Sequence, residues 1–337
     1  MRIEQLRQRL RDLGAKPCHE ERLLRGWSQV TSYDKSNSPA EDFFPLALRN
    51  ALPDIEAELN NLARLRSEYP ADESVARLLV ELADGQMVES VLLPRGGLCV
   101  STQVGCAVGC VFCMSGRDGL QRHLGSAEIV AQVVLARKRR AVSKVVFMGM
   151  GEPAHNLDNV LEAIQFLGSY GNIGHKNLVF STVGDPRVFE RLPQGAVKPA
   201  LALSLHTTDA ELRARLLPNA PRIAPEALVE QAELYARTTS YPIQYQWTLI
   251  EGVNDSDAEL ERIVQLLSGK YAIMNFILFN DVDGLAYHRP SPERAAHMVR
   301  YLHQHGILAK LRDSAGQEIE GACGQLRARA EKLIKRG

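Results

Sequence analysis

Residues 98–113 read "LCVSTQVGCAVGCVFC". A short apolar, β-branched run leads into a loop that carries Cys106, Cys110 and Cys113, at spacings of four and three. Thiols placed this way can converge on one centre just beyond the end of a strand. Three soft thiolates suit zinc or an iron–sulfur cluster, yet a structural zinc site and a ferredoxin-type cluster each take four protein ligands. The motif is one ligand short. His123 could complete a three-cysteine, one-histidine zinc site, although the usual paired-knuckle spacing is absent. The other solution is a cubane cluster with three protein-ligated irons and a fourth iron left open to an exogenous ligand.

Downstream of the cysteines the chain alternates strand and helix patterns. "SAEIVAQVVLARKRR" reads as a helix, "KVVFMGM" as a buried strand and "NLDNVLEAIQFLGSYG" as the next helix; "NLVFSTVG", "ALALSLH", "IQYQWTLI" and "AIMNFILFN" are further strands with helices after them. Ser256 with Glu259 forms a capping box, Gly269 a stop, and Ser291, Pro292 and Gly306 punctuate the last helix. These are six strand–helix units, which predict an α/β fold with a partial (β/α)6 barrel over residues 98–326. Chemistry in such folds collects at the carboxyl ends of the strands, and "CAVGCVFC", "GMGEP", "STVG", "SLH", "EGVND" and "FNDVDG" all fall there. Upstream, residues 1–80 read as a small, mainly helical accessory domain. Residues 81–97 read as part of a strand pair leading into the core, with "VARLLVELAD" and "QMVESVLLP" turning at "DGQ", and residues 327–337 as a basic tail.

The chain has 337 residues, 45% hydrophobic and 24% charged, with a formal net charge of zero. That balance excludes nucleic-acid binding driven by bulk charge but leaves room for a local basic patch. Candidate patches are "LARKRRAVSK" (135–144), "RIEQLRQRLR" (2–11) and the tail, each of which reads equally well as a solvated helix face. The start has no apolar core of signal-peptide length and no run of about 18 apolar residues follows, so a cytoplasmic protein without membrane contact is expected. Six cysteines in a chain of this size do not suggest a disulfide scaffold. Cys18 reads as an ordinary thiol. Cys99 and Cys323 taken singly would also read as buried thiols, but Cys323 lies in "GACGQL", whose small residues permit close backbone approach.

A CxxxCxxC loop after the first strand of a partial barrel resembles the radical S-adenosylmethionine (radical SAM) superfamily. "CVSTQVGCAVGCVFCMSG", "VFMGMGEPAHNLDNV", "STVG", "LALSLHTTDAELRARLLP" and "EIEGACGQL" are similar, in order and spacing, to the RlmN/Cfr family of RNA adenine C2 or C8 methyltransferases. The resemblance implies a [4Fe-4S] cluster on Cys106, Cys110 and Cys113, with SAM on the open iron. It implies SAM contacts at Gly151, Glu152, Ser181, Ser204, Leu205, His206 and Asn280. It further implies two SAM per turnover: one methylates Cys323, and the other yields a 5′-deoxyadenosyl radical that abstracts hydrogen from that S-methyl group. The methylene radical adds to adenine, whose C2 is too electron-poor for polar methyl transfer. Glu89, otherwise a solvent-facing strand carboxylate, would then remove the ring proton, and the Cys99 thiolate would free the product by forming a disulfide with Cys323.

The expected activity is thus methylation of C2 of an adenosine in structured RNA, ribosomal or transfer, by a monomer served by an electron donor such as flavodoxin or ferredoxin. A diverged target, adenine C8 or another RNA, is the alternative; it draws weight from "FND" (279–281), where the resemblance leads one to expect a proline-rich loop. A non-catalytic RNA-binding protein with a structural metal is a third reading, but it has no use for Cys99 and Cys323.

Overall fold

A computed structural model describes residues 1–328 apart from Ser36, 281–283 and Asp313. Most of the basic tail, and Asp281 of the "FND" stretch, therefore lie outside the described residues. The chain opens with helices α1 (Ile3–Asp12), α2 (Pro17–Gln29), α3 (Ala40–Phe43) and α4 (Leu46–Asn61). Strands β1 (Ala63–Pro70), β2 (Ala76–Leu82), β3 (Met87–Leu93) and β4 (Gly97–Cys99) follow as an antiparallel meander, and β5 (Gln103–Gly105) pairs with β6 (Leu120–His123) as a small hairpin flanking the cysteine loop. The winding then proceeds through α5 (Ser126–Arg137), β7 (Lys144–Phe147), α6 (Leu157–Ser169), β8 (Leu178–Thr182), α7 (Pro186–Arg191), β9 (Ala200–Ser204), α8 (Ala210–Leu216), α9 (Pro225–Thr239), β10 (Ile243–Leu249), α10 (Asp257–Leu267), β11 (Ala272–Leu278), α11 (Pro292–Gln304) and β12 (Leu308–Arg312).

Ten strands form one sheet in the order β1-β2-β3-β4-β7-β8-β9-β10-β11-β12, parallel from β4 onward. The six expected strand–helix units are present, and β12 adds a seventh parallel strand. Parallel strands are buried on both faces, which is why β7, β8 and β9 read as nearly unbroken apolar runs. Ser256 and Ser291 cap as expected, accepting from the amides of Glu259 and Arg294, but the Ser256–Glu259 box is only half formed, since the Glu259 carboxylate accepts from Thr207 and Thr208 instead.

The expectation that residues 1–80 are mainly helical fails for 63–70, which form β1, whereas "VARLLVELAD", read as a strand, is β2. "ARLRSEYP" carries charges on alternate residues, and β1 buries little besides its first residue. The apolar spacing of Leu59, Leu62 and Leu65 mimics a helix, but antiparallel pairing with β2 decides the outcome. Nor do α1–α4 stand apart: Ile3, Leu6, Leu24, Leu48 and Ile55 belong to the same continuous core as the barrel strands. The chain start is clamped. The amide of Ile3 donates to Ser126 Oγ (2.8 Å) and that of Glu4 to Glu162 Oε1 (2.9 Å), placing a carboxylate at the N-terminus of α1. With α2 on one side and the sheet on the other, α5 is buried along nearly its whole length, as its apolar sequence requires.

Candidate active site

The cysteine loop is held from three directions. The Cys106 amide donates to Gly119 O (3.2 Å), the Val111 amide to Leu216 O (3.1 Å), and Asn219 donates from its amide to Val108 O (3.2 Å) and from Nδ2 to Ala107 O (2.9 Å). Val108, Phe112, Leu216, Leu217, Ile250 and Phe279 make a satellite apolar cluster, separate from the main core, against which all three thiols pack. Burial pushes the Cys106 thiol up to about 12 and raises Cys110 and Cys113 as well; Cys110 is raised further by its two partner thiols. Such thiols stay protonated unless a cation takes the proton's place.

The donor set therefore fits an iron–sulfur cluster. Among the described residues no three His, Cys, Asp or Glu side chains gather as one metal ion would need. His123, the suggested fourth zinc ligand, is instead engaged through Nδ1 with the Gln103 side-chain amide (2.9 Å).

Beside the loop stand Glu152 and Arg213. Glu152 accepts from the amides of Ala154 and Val183 (both 3.1 Å), donates its own amide to Gln103 Oε1 (2.8 Å), and has its carboxyl pushed up to about 7 by burial. Gly151, at φ +105°, has no room for a Cβ, which would lie 2.7 Å from Gln103. Arg213, buried, bridges the carbonyls of Val183 and Ser204, tying two strand ends together; burial brings it down to about 10. Nothing in "ELRARLLP" singled it out.

His206 occupies the left-handed region at φ +63°. Its Nδ1 accepts from the Thr248 amide (3.0 Å), its ring meets Phe112 edge-on at 4.8 Å, and burial pushes its pKa down to about 3, so it stands neutral with Nε2 carrying the proton. Leu205 is a core side chain and offers the site only backbone. Ser181 is the half-buried penultimate residue of β8, and Ser204 ends β9. Asn280 donates to Ser314 Oγ (3.1 Å) and to Cys323 O (2.9 Å), while its buried Oδ1 has no partner. These seven positions sit at successive strand ends.

The C-terminal segment docks back on the cysteine loop: Met114 donates to Gly324 O and Ser115 Oγ to Leu326 O, both at 2.7 Å. Gly324, at φ +88°, lies so close to Phe112 O that a Cβ would sit 3.0 Å away. This docking creates a cavity of about 360 Å³ whose wall includes Cys99, Cys113 and Cys323. Cys99 is buried and its thiol pKa pushed far up, by burial first and then by Cys323. Cys323 is exposed to the cavity; surrounding protein raises its pKa and Arg312 opposes that rise. All six cysteines are free, so the expected disulfide is not a feature of this structure.

Glu89 does not face solvent. It is 1% exposed, paired with Arg77 Nη1 at 2.5 Å, and accepts from the Arg327 amide at 2.9 Å. It lies on the same face of β3 as Val91 and Leu93, which line the cavity, and the C-terminal segment covers it.

The basic runs are largely spent within the protein. Arg137 donates to Ser28 O, Val142 O and Gly171 O; Arg139 pairs with Glu68, and Arg140 donates to Ser74 O, Leu93 O and Gly97 O. In α1, Arg9 pairs with Glu58 and Arg11 with Glu4 and Glu20. Arg137 fastens α5 to α2, while Arg9 and Arg11 tie the N-terminal helices to one another.

A parallel (β/α)6 barrel with a three-cysteine loop after its first strand defines a radical SAM protein, and the radical SAM superfamily profile matches residues 100–266. Proteins of that superfamily generally use SAM and a [4Fe-4S] cluster. The chain is 70% identical over its whole length, and 97% of the relative's, to a "Probable RNA methyltransferase" of Azoarcus sp. (strain BH72). It is 68% identical to one of Pseudomonas aeruginosa (strain UCBPP-PA14), over 98% of this chain and 96% of that one. A crystal structure of a radical SAM methyltransferase from Sphaerobacter thermophilus superposes with a TM-score of 0.85 at 33% identity, covering 98% of both chains. The chain belongs to this radical SAM methyltransferase family, in keeping with its RlmN/Cfr resemblance. Among the described residues no helix is long and apolar enough to cross a membrane.

Proposed function

We propose that the protein methylates C2 of an adenosine in structured RNA, ribosomal or transfer, with Cys323 as the methyl carrier. The observation that supports this most is the shared cavity: Cys323 and Cys99 line one wall system with Cys113 of the cysteine loop, and a methyltransferase using SAM alone has no need of two further thiols there. When bound, SAM and the cluster supply a methyl group and a one-electron route to a hydrogen-abstracting radical; the reading takes two SAM per turnover and a flavodoxin- or ferredoxin-type reductant.

The residues divide the work. Cys106, Cys110 and Cys113 hold the cluster, and Gly151, Glu152, Ser181, Ser204, Leu205, His206 and Asn280 hold SAM. Cys323 Sγ carries the methyl group that becomes bonded to adenine C2. The adduct gives up its C2 proton to Glu89 and one electron, which the cluster, when bound, would take back. Cys99 Sγ then attacks Cys323 Sγ, an S–S bond forms as the S–C bond breaks, and the released carbon takes a proton to become the methyl group. External reduction returns both thiols. Burial keeps Cys99 protonated until that step needs it, and Arg77 holds Glu89 in place. We read the protein as a cytoplasmic monomer.

Mass spectrometry of adenosines from cells with and without the protein, separated by RNA class, tests this. A 2-methyladenosine signal should disappear from one class. An unchanged profile counts against the reading.

A further inference from the structure

The barrel lumen below the two thiols has a chemistry that the methyl-transfer reading does not use. Alternation along the strands puts one polar set on the inner face. On β12, Ala309 is buried against the helix layer, so Lys310 and Arg312 point the other way, and Arg312 lines the cavity. Lys144, at the start of β7, and Gln246, on β10, line it as well. In the sheet register Asn275 pairs with Gln246 on one side and Lys310 on the other; it shares the strand face of Ile277, another lining residue.

Two features of this group call for a ligand. Lys144, Lys310 and Arg312 are mutually repelling: burial and then the charges of Arg312 and Lys310 depress the Lys144 ammonium, and among the described residues none of the three has a carboxylate partner. Independently, Asn275 is 1% exposed and its Nδ2 has no hydrogen-bond acceptor. A buried donor left unpaired costs about 1–3 kcal/mol. Lys310 and Arg312 stand exposed at the sheet edge and Lys144 is half-buried, so three cations without a carboxylate partner face a buried unsatisfied donor, and together they describe a seat for an anion.

We propose that Lys144, Lys310, Arg312 and Asn275 form a seat for a backbone phosphate of the RNA substrate, placing the nucleotide whose base reaches Cys99 and Cys323. This rests on the RNA-modifying reading and deepens it. An RNA phosphate is favoured because the seat opens into the same cavity as the thiols, and a base held at the thiols brings its own phosphates along. Among the described residues Arg9, Arg11, Arg137, Arg139 and Arg140 are taken by internal partners, which leaves these cations free for the backbone contacts that dominate RNA affinity.

The test is equilibrium binding of a fluorescein-labelled RNA stem–loop, with an unpaired loop adenosine, to the full-length protein purified anaerobically, titrated over a range of salt. Lys144→Ala and Lys310→Ala are each expected to weaken binding about five- to tenfold and to lower the log–log salt slope by about one. Thermal unfolding serves as the folding control, and both variants should melt no lower than wild type because each relieves repulsion. Binding with wild-type affinity and slope in both variants overturns the seat. So does a seat that takes only free inorganic phosphate, seen as phosphate-induced thermal stabilisation lost in Lys310→Ala with RNA affinity unchanged. Failure of the wild-type protein to bind the stem–loop would instead count against the RNA-modifying reading itself.

Discussion

The cysteine loop and the Cys99–Cys323 cavity are both built from thiols, and they are assembled in different ways. Cys106, Cys110 and Cys113 are near neighbours in the chain, fixed by backbone bonds from Leu216, Asn219 and Gly119 and by an apolar cluster of their own. Cys99 ends the first barrel strand and Cys323 follows the last; they meet only because residues 321–327 fold back over the loop. The first arrangement is local and rigid, suited to ligands that must keep one geometry. The second depends on docking, which suits the proposed role of a thiol that is methylated, reacts and is released.

Substitutions that split the two regions give the largest effects. Cys110→Ala should remove iron–sulfur absorbance from anaerobically purified protein together with all methylation. Cys323→Ala should leave that absorbance intact and lose methylation alone. Loss of the cluster in both, measured by absorbance and iron content, would erase the distinction.

Glu89→Gln comes next. Loss of a positioned base typically costs about 10²- to 10⁴-fold in rate, and methylation measured with labelled SAM should fall within that range. Glutamine keeps the shape and one acceptor oxygen, enough for Arg77 or the Arg327 amide but not both, so the variant should fold with reduced stability. Glu89→Ala, which removes one carboxylate partner of the buried Arg77, should lower stability in urea unfolding more than Glu89→Gln does.

The cluster side predicts a pH effect of intermediate size. His206 is held neutral, its pKa moved from the unfolded 6.5 to about 3. Between those values the unfolded chain binds the extra proton, so stability is complete above about 6.5 and falls as the pH drops toward 3. At pH 5 the loss is about 2 kcal/mol. Asn tolerates the left-handed backbone at this position, so His206→Asn should fold and flatten the dependence between pH 7 and pH 5. Equal slopes in the two proteins would place the titration elsewhere. Smallest of all, Arg9→Ala breaks an exposed pair and should change stability by less than about 1 kcal/mol and leave RNA affinity untouched.

The same contrast explains what was legible in the sequence. The barrel units could be read because buried parallel strands leave apolar runs and the helices between them carry their own caps, as at Ser256 and Ser291. Strand β1 could not, because its charged alternation offers no apolar face and its pairing with β2 is a long-range decision. β12 is hidden for a similar reason: it is short and mostly exposed, so no apolar run marks it. At the site, Cys106, Cys110 and Cys113 announce themselves by spacing. Arg213, Gln246 and Asn275 do not, since a single polar residue among apolar ones acquires meaning only when the register brings it beside others. Glu89 illustrates the limit: its strand was legible, but its burial under the C-terminal segment is tertiary.

The central claim is that Cys323 carries the methyl group. Anaerobically purified protein, incubated with SAM bearing a deuterated methyl group and digested, can be read by tandem mass spectrometry at the peptide containing Cys323. One labelled methyl is expected on Cys323 and none on Cys99, with passage of that label to RNA on addition of reductant. RNA labelled while Cys323 stays unmodified, or label on another residue, would contradict it.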